Sequence, residues 1–135
     1  RRQRQMCIRD RDITVFCYGL MVNYCLQAAD ILASDGIDVE VVDLRTVYPL
    51  DKATIIERSQ RTGKVLLVTE DNLEGSIMSE VSAIIAENCL FDLDAPIMRL
   101  AAPDVPSMPF SPTLENEIMM NPEKIQDKMR ELAQF

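Results

Sequence analysis

Four short β-rich apolar runs alternate with stretches whose apolar side chains return every three or four positions. This alternation restricts the chain to a small set of folds. Ile13-Thr14-Val15-Phe16-Cys17-Tyr18, stopped by Gly19, reads as a strand buried on both faces. Val22, Cys25, Leu26, Ala29, Leu32 and Ala33 then share one helical face, which ends near Asp35-Gly36. Residues 39–44 read as a second strand. Asp51 is the expected N-cap of a helix running to about Arg61, with Ile55 and Ile56 inward and Thr62-Gly63 as its stop. Residues 64–69 give a third strand. Gly75 is expected to open a helix with Ile77, Met78, Val81, Ile84, Ile85 and Cys89 on one face. Residues 97–100 form a fourth strand, followed by a loop with prolines at 103, 106, 109 and 112. Ser111-Pro112 and Asn121-Pro122 each set a cap before a first-turn proline, so both start helices; Ile125, Met129 and Leu132 face inward on the last. Strands alternating with helices imply a three-layer α/β domain: a mostly parallel sheet with helices on both faces.

The 135 residues suffice for one core. No apolar run approaches the ~20 residues that span a bilayer, and no signal peptide is seen, so no membrane role is expected. The chain does not start with Met, which suits a fragment of something longer. Net charge is −8, against nucleic acid as a partner and compatible with a basic protein or simply with solubility. Arg1, Arg2, Arg4, Arg9 and Arg11 crowd the start, opposed only by Asp10 and Asp12. Residues 1–12 therefore read as a linker or solvated arm, and 13–135 as the domain.

The usual chemical kits are missing. There is no His, and Cys7, Cys17, Cys25 and Cys89 include no Cys-x-x-Cys pair, so neither a zinc site nor a Cys-His or Ser-His-Asp device is expected. Cys17 and Cys25 sit in apolar runs as expected for buried, reduced thiols, which fits a cytosolic setting. Gly19, Gly36, Gly63 and Gly75 are isolated, so no phosphate loop forms. No catalytic, cofactor-binding or metal-binding residue is assigned. Glu70 and Asp71 form an acidic pair at a strand end. They read either as an acid–base or metal site or as solvated carboxylates starting a loop. Met78, Met98 and Met129 are expected in the core, while Met108, Met119 and Met120, near the Pro-rich segment, suit core or an adaptable contact surface.

Val42-Asp43-Leu44-Arg45-Thr46-Val47-Tyr48-Pro49-Leu50-Asp51 resembles a signature of the transketolase C-terminal domain family, and within it the β subunits of thiamine-diphosphate-dependent 2-oxo-acid dehydrogenases. Arg61-Thr62-Gly63-Lys64, the stretch from Glu70 to Glu80, Asp94-Ala95-Pro96-Ile97-Met98-Arg99 and Pro103-Asp104-Val105-Pro106 continue the likeness in order. Two departures are Thr69, where many relatives carry His, and Glu74-Gly75, where a glycine pair is usual.

The resemblance implies a non-catalytic assembly domain of an enzyme that oxidatively decarboxylates a branched-chain 2-oxo acid or pyruvate and transfers the acyl group to lipoyl. Thiamine diphosphate and magnesium would then sit in other domains. The enzyme would be a homodimer or heterotetramer with an α subunit or fused α chain, cytoplasmic or in the mitochondrial matrix. The implied subunit interface involves Arg45, Met108, Phe110, Met119 and Met120. Arg45 could fork onto a carboxylate across that interface or pair locally. The implied docking site for the lipoyl acyltransferase core is Asp92, Asp94 and Phe135 with its terminal carboxylate. The same domain from an acetoin dehydrogenase or transketolase-like enzyme, or a stand-alone α/β small-ligand module, are the alternatives.

Overall fold

A computed structural model describes residues 11–105 and 110–135. Strand β1 (Ile13–Cys17) leads to helix α1 (Met21–Ser34), β2 (Val39–Asp43), α2 (Lys52–Thr62), β3 (Val65–Asn72) and α3 (Ile77–Cys89). A 3-10 turn (Leu90–Asp92), β4 (Met98–Ala102), α4 (Pro112–Ile118) and α5 (Pro122–Ala133) complete the chain. The sheet runs β2-β1-β3-β4 and every pairing is parallel. The order reverses between β1 and β3, where the chain leaves one side of β1 and returns on the other.

Strand alternation divides the core into two layers. Ile13, Val15, Cys17, Leu66 and Val68 face Met21, Cys25, Ala28 and Leu32 of α1 and Ile125, Met129 and Leu132 of α5. Phe16, Val65 and Leu67 face Ile55 of α2 and Met78, Val81, Ile84, Ile85 and Cys89 of α3. The central strands are thus apolar on both sides, as their continuous apolar runs require. Among the residues of the Arg-rich start that are described, Arg11 pairs with Asp38 at 2.7 Å and Asp12 bonds the Asp38 backbone. The hydrogen-bonded structure therefore reaches Arg11. Cys17, Cys25 and Cys89 are buried free thiols. A hydrogen bond with Cys17, then burial, keeps Cys25 protonated.

Two boundaries beside the carboxyl end of β3 move. β3 extends to Asn72, because after a bulge the ladder resumes with Asn72 opposite Ala102. Glu70 and Asp71 therefore belong to the exposed end of a strand and do not start a loop. α3 begins at Ile77, since Gly75, at φ +72°, belongs to the turn before the Ser76 cap.

The caps match expectation. Asp51 accepts from Thr54 N at 3.1 Å and Thr54 Oγ1 at 2.7 Å, and Asn121 accepts from Lys124 N at 2.8 Å. The Thr54 hydroxyl, then its backbone N–H, hold the Asp51 carboxyl below its ordinary pKa. A pKa lowered by folding contributes stability above the unfolded value that is lost as pH falls through the folded one. Asp51→Ala should therefore melt below the parent chain at pH 7, with the gap closing below about pH 4, where the parent's carboxyl protonates. An equal gap at pH 3 and pH 7 in calorimetry would show that the carboxylate is not what caps α2.

Candidate functional site

In an open parallel sheet the carboxyl ends of all strands lie on one side, and crevices form where the strand order reverses. Tyr18 follows β1 at that reversal, with the end of β3 as its neighbour. Tyr18 Oη donates to Asp71 Oδ2 at 2.6 Å and lies 2.9 Å from Thr69 Oγ1. The phenol has one proton and gives it to the carboxylate, so the Thr69 hydroxyl donates to Tyr18 while accepting from Asp71 N at 3.1 Å. Thr69 thus serves as the buried relay of this cluster. Burial, then the hydrogen bond to Asp71, raises the Tyr18 pKa and keeps the phenol neutral.

Beside this cluster lies an open groove of about 410 Å³ lined by Glu70, Asp71, Asn72, Glu74, Gly75, Ser76 and Ile77. The Asp71 carboxylate is engaged by Tyr18, and Glu74 N donates to Asp104 Oδ1 at 3.3 Å, tying two loops of this edge together. Arg99 fastens the same loop, donating to Leu73 O and Ser79 Oγ. These contacts hold loops in place and assemble no nucleophile–base pair. No group of three His, Cys, Asp or Glu side chains among the described residues could hold a metal.

Arg45 stands at the carboxyl end of β2 with φ +57°, its N–H donating to Asp43 Oδ1 at 2.9 Å. An Asx turn thus holds a non-glycine residue in the left-handed region. The side chain is exposed, and among the described residues no ion pair holds its guanidinium, so the local-pair alternative finds no support. Val47 and Tyr48 project from the same loop. Phe110, Leu114 and Met119 are exposed on the segment between β4 and α5, which starts from the same side of the sheet. Lys124 Nζ anchors that segment through Glu117 O and Met119 O, both at 2.7 Å. Met120 corrects the expectation: it is 7% exposed and packs in the α1–α5 core, so it fills the domain's own interior. Met108 lies outside the described residues.

The opposite edge gathers Asp92, Asp94 and the end of α5. Gln60 Nε2 donates to Asp92 Oδ2 at 3.2 Å, and Asp94 N donates to Gly63 O at 2.7 Å. Lys64 Nζ donates to Ala133 O at 3.2 Å, two residues before the exposed Phe135. Beside them, Leu90 and Phe91 form an exposed apolar knob that sequence reasoning misses. A signal exists: both are large apolar residues falling just after the inward stripe of α3 ends at Cys89. The two groups of expected contact residues therefore occupy opposite ends of the sheet. No helix among the described residues is long and apolar enough to cross a membrane.

Residues 6–125 match the family described as "Transketolase, C-terminal domain". The chain is 67% identical over 124 residues to the 2-oxoisovalerate dehydrogenase subunit beta of Bacillus subtilis, covering 92% of this chain and 38% of that protein. It is 40% identical over 124 residues to the pyruvate dehydrogenase E1 component subunit beta of the same organism, with the same coverage of 92% and 38%. It is 40% identical over 114 residues to that organism's acetoin:2,6-dichlorophenolindophenol oxidoreductase subunit beta, covering 84% and 33%. Among solved structures, a split gene transketolase, described as an inactive beta4 tetramer, superposes with a TM-score of 0.79 at 22% identity. That superposition covers 92% of this chain and 40% of the other, and it speaks for the fold alone. The chain spans about two-fifths of the length of the curated relatives it matches.

Proposed function

Because the chain belongs to the transketolase C-terminal domain family, we propose that it serves as the C-terminal domain of the β subunit of a thiamine-diphosphate-dependent 2-oxo-acid dehydrogenase acting on branched-chain 2-oxo acids. The observation that carries the choice of substrate is the gap between 67% identity to the 2-oxoisovalerate relative and 40% to the pyruvate and acetoin relatives. The domain's part in that enzyme is assembly and docking. Thiamine diphosphate and magnesium belong to other domains, since the residues here do not fit them. The four glycines lie singly in separate turns and no metal-ligand set exists among the described residues.

Subunit association with an α partner and a second β subunit uses the carboxyl-end side, through Arg45, Phe110 and Met119. A guanidinium with no ion pair among the described residues, on the same side of the sheet as the exposed Phe110 and Met119, supports this reading. Met108 is proposed for the same surface on its sequence position. The amino-end side, with Asp92, Asp94 and Phe135, receives a small basic domain of the lipoyl acyltransferase core. Two exposed carboxylates beside the Leu90-Phe91 knob support that part. Buried free thiols suit a reducing compartment, the cytoplasm or a mitochondrial matrix.

The test uses the full-length β subunit assembled with its α partner, with decarboxylation followed through an artificial electron acceptor. Turnover of 2-oxoisovalerate should exceed that of pyruvate and acetoin in kcat/KM by at least about tenfold, a gap of about 1.4 kcal/mol in transition-state binding. Equal or better turnover of pyruvate or acetoin would overturn the substrate assignment.

A further inference from the structure

The turn joining α2 to β3 touches both segments assigned to docking, and we infer that Gln60, Gly63 and Lys64 are the positioning residues of that surface. The inference rests on the docking reading above and adds what fixes the shape of the surface. Asp92 and Asp94 are separated from Phe135 by β4, α4 and α5, so nothing local in the chain sets their spacing.

Three contacts from the end of α2 and the turn after it do. Gln60 Nε2 holds Asp92 Oδ2, Gly63 O holds Asp94 N, and Lys64 Nζ holds Ala133 O. Gly63 has φ +70°, and a Cβ there would sit 2.7 Å from Asp94 Oδ2 and 2.9 Å from Asp92 O. The 92–94 loop can approach this closely only because position 63 lacks a side chain. The Lys64 ammonium meets one of the last carbonyls of α5, an acceptor with no partner inside the helix, at the end where the helix dipole favours a cation. Its bond is partly buried and joins residues 69 positions apart. Arg130 pairs with Asp35 on the same stretch of α5, holding that helix to the end of α1. The last turn of α5 is thereby pinned, and Phe135 with it.

A surface that binds through two separate elements loses affinity when their relative placement loosens, even if each element is intact. Lys64→Met removes the ammonium and keeps the apolar stem, touching neither Asp94 nor Phe135.

The experiment is calorimetric titration of the assembled full-length enzyme with the small basic subunit-binding domain of the acyltransferase. Asp94→Lys should weaken binding about tenfold or more, as expected for reversing a charge in a charge-assisted contact. Lys64→Met should weaken it about fivefold, and Lys64→Arg should stay within about twofold of the parent, since guanidinium can reach the same carbonyl. In a Phe135→Ala background, Lys64→Met should cause a clearly smaller further loss, because the side chain it positions is gone. Equal losses in both backgrounds would mean that Lys64 acts through general stability and would overturn the inference. If Asp94→Lys weakens binding but Lys64→Met does not, the positioning role alone fails. If Asp94→Lys binds like the parent, the docking reading fails and the inference falls with it.

Discussion

Replacing Phe16 with alanine should destabilise the chain by about 3–5 kcal/mol, the largest loss expected from any single core truncation here. Phe16 is fully buried in β1, a central strand flanked by β2 and β3. Its ring faces the α2–α3 layer with Leu67, Ile55 and Val81. Removing it takes apolar area out of the core and also leaves a cavity, because a strand paired on both sides cannot collapse into the gap. Phe16→Leu, which retains most of the volume, should lose less than half as much. Equilibrium urea unfolding checks both. A loss below about 1 kcal/mol for Phe16→Ala would show that the α2–α3 layer closes over the gap and that packing here is far looser than the burial implies.

Gly63→Ala should lower the melting temperature by about 10 °C, corresponding to about 3 kcal/mol for a domain of this size. Two causes add. An alanine at φ +70° sits in the left-handed region, which costs about 1–2 kcal/mol. Its Cβ would also fall 2.9 Å from Asp92 O, a backbone atom that cannot swing aside as a side chain can. Gly36 provides the control. It has φ +81°, and a methyl added there would meet nothing within 4 Å, so Gly36→Ala should show the conformational cost alone. Equal melting shifts for the two variants would mean that the 92–94 loop yields without resistance. The close approach at Gly63 would then carry no structural weight.

How much is legible in the sequence follows from which forces are local. β1 and β3 can be read because strands apolar on both faces need continuous apolar runs, and Val15-Phe16-Cys17 and Val65-Leu66-Leu67 supply them. Asp51 and Asn121 can be read as caps because a cap bonds within its own first turn. The end of β3 cannot. Glu70, Asp71 and Asn72 are polar, and only the partner strand, through Ala102, keeps them extended. Met120 departs from expectation for a related reason: the residues just before it are exposed or half-buried, and its own burial depends on α5 folding back against α1. At the contact surfaces, residue types can be named but not their grouping. That Asp94 and the end of α5 meet the same turn is a matter of tertiary contacts, Asp94 to Gly63 and Ala133 to Lys64. The positive φ of Arg45 also has no signature in the sequence, because Asp43 imposes it after the chain has turned.

A sheet whose strands all run one way has a head and a tail, as an antiparallel sheet does not. β1, with five residues, sets the two about 16 Å apart, at roughly 3.3 Å per residue. The hydrogen bonds of Arg45 to Asp43 on one side and of Asp94 to Gly63 and Lys64 to Ala133 on the other have no residue in common. The energetic effects of changes on the two sides should therefore sum, as they do for sites more than about 7–10 Å apart. The domain then works as a rigid spacer. One end can be occupied without crowding the other, and evolution can retune each without disturbing its opposite.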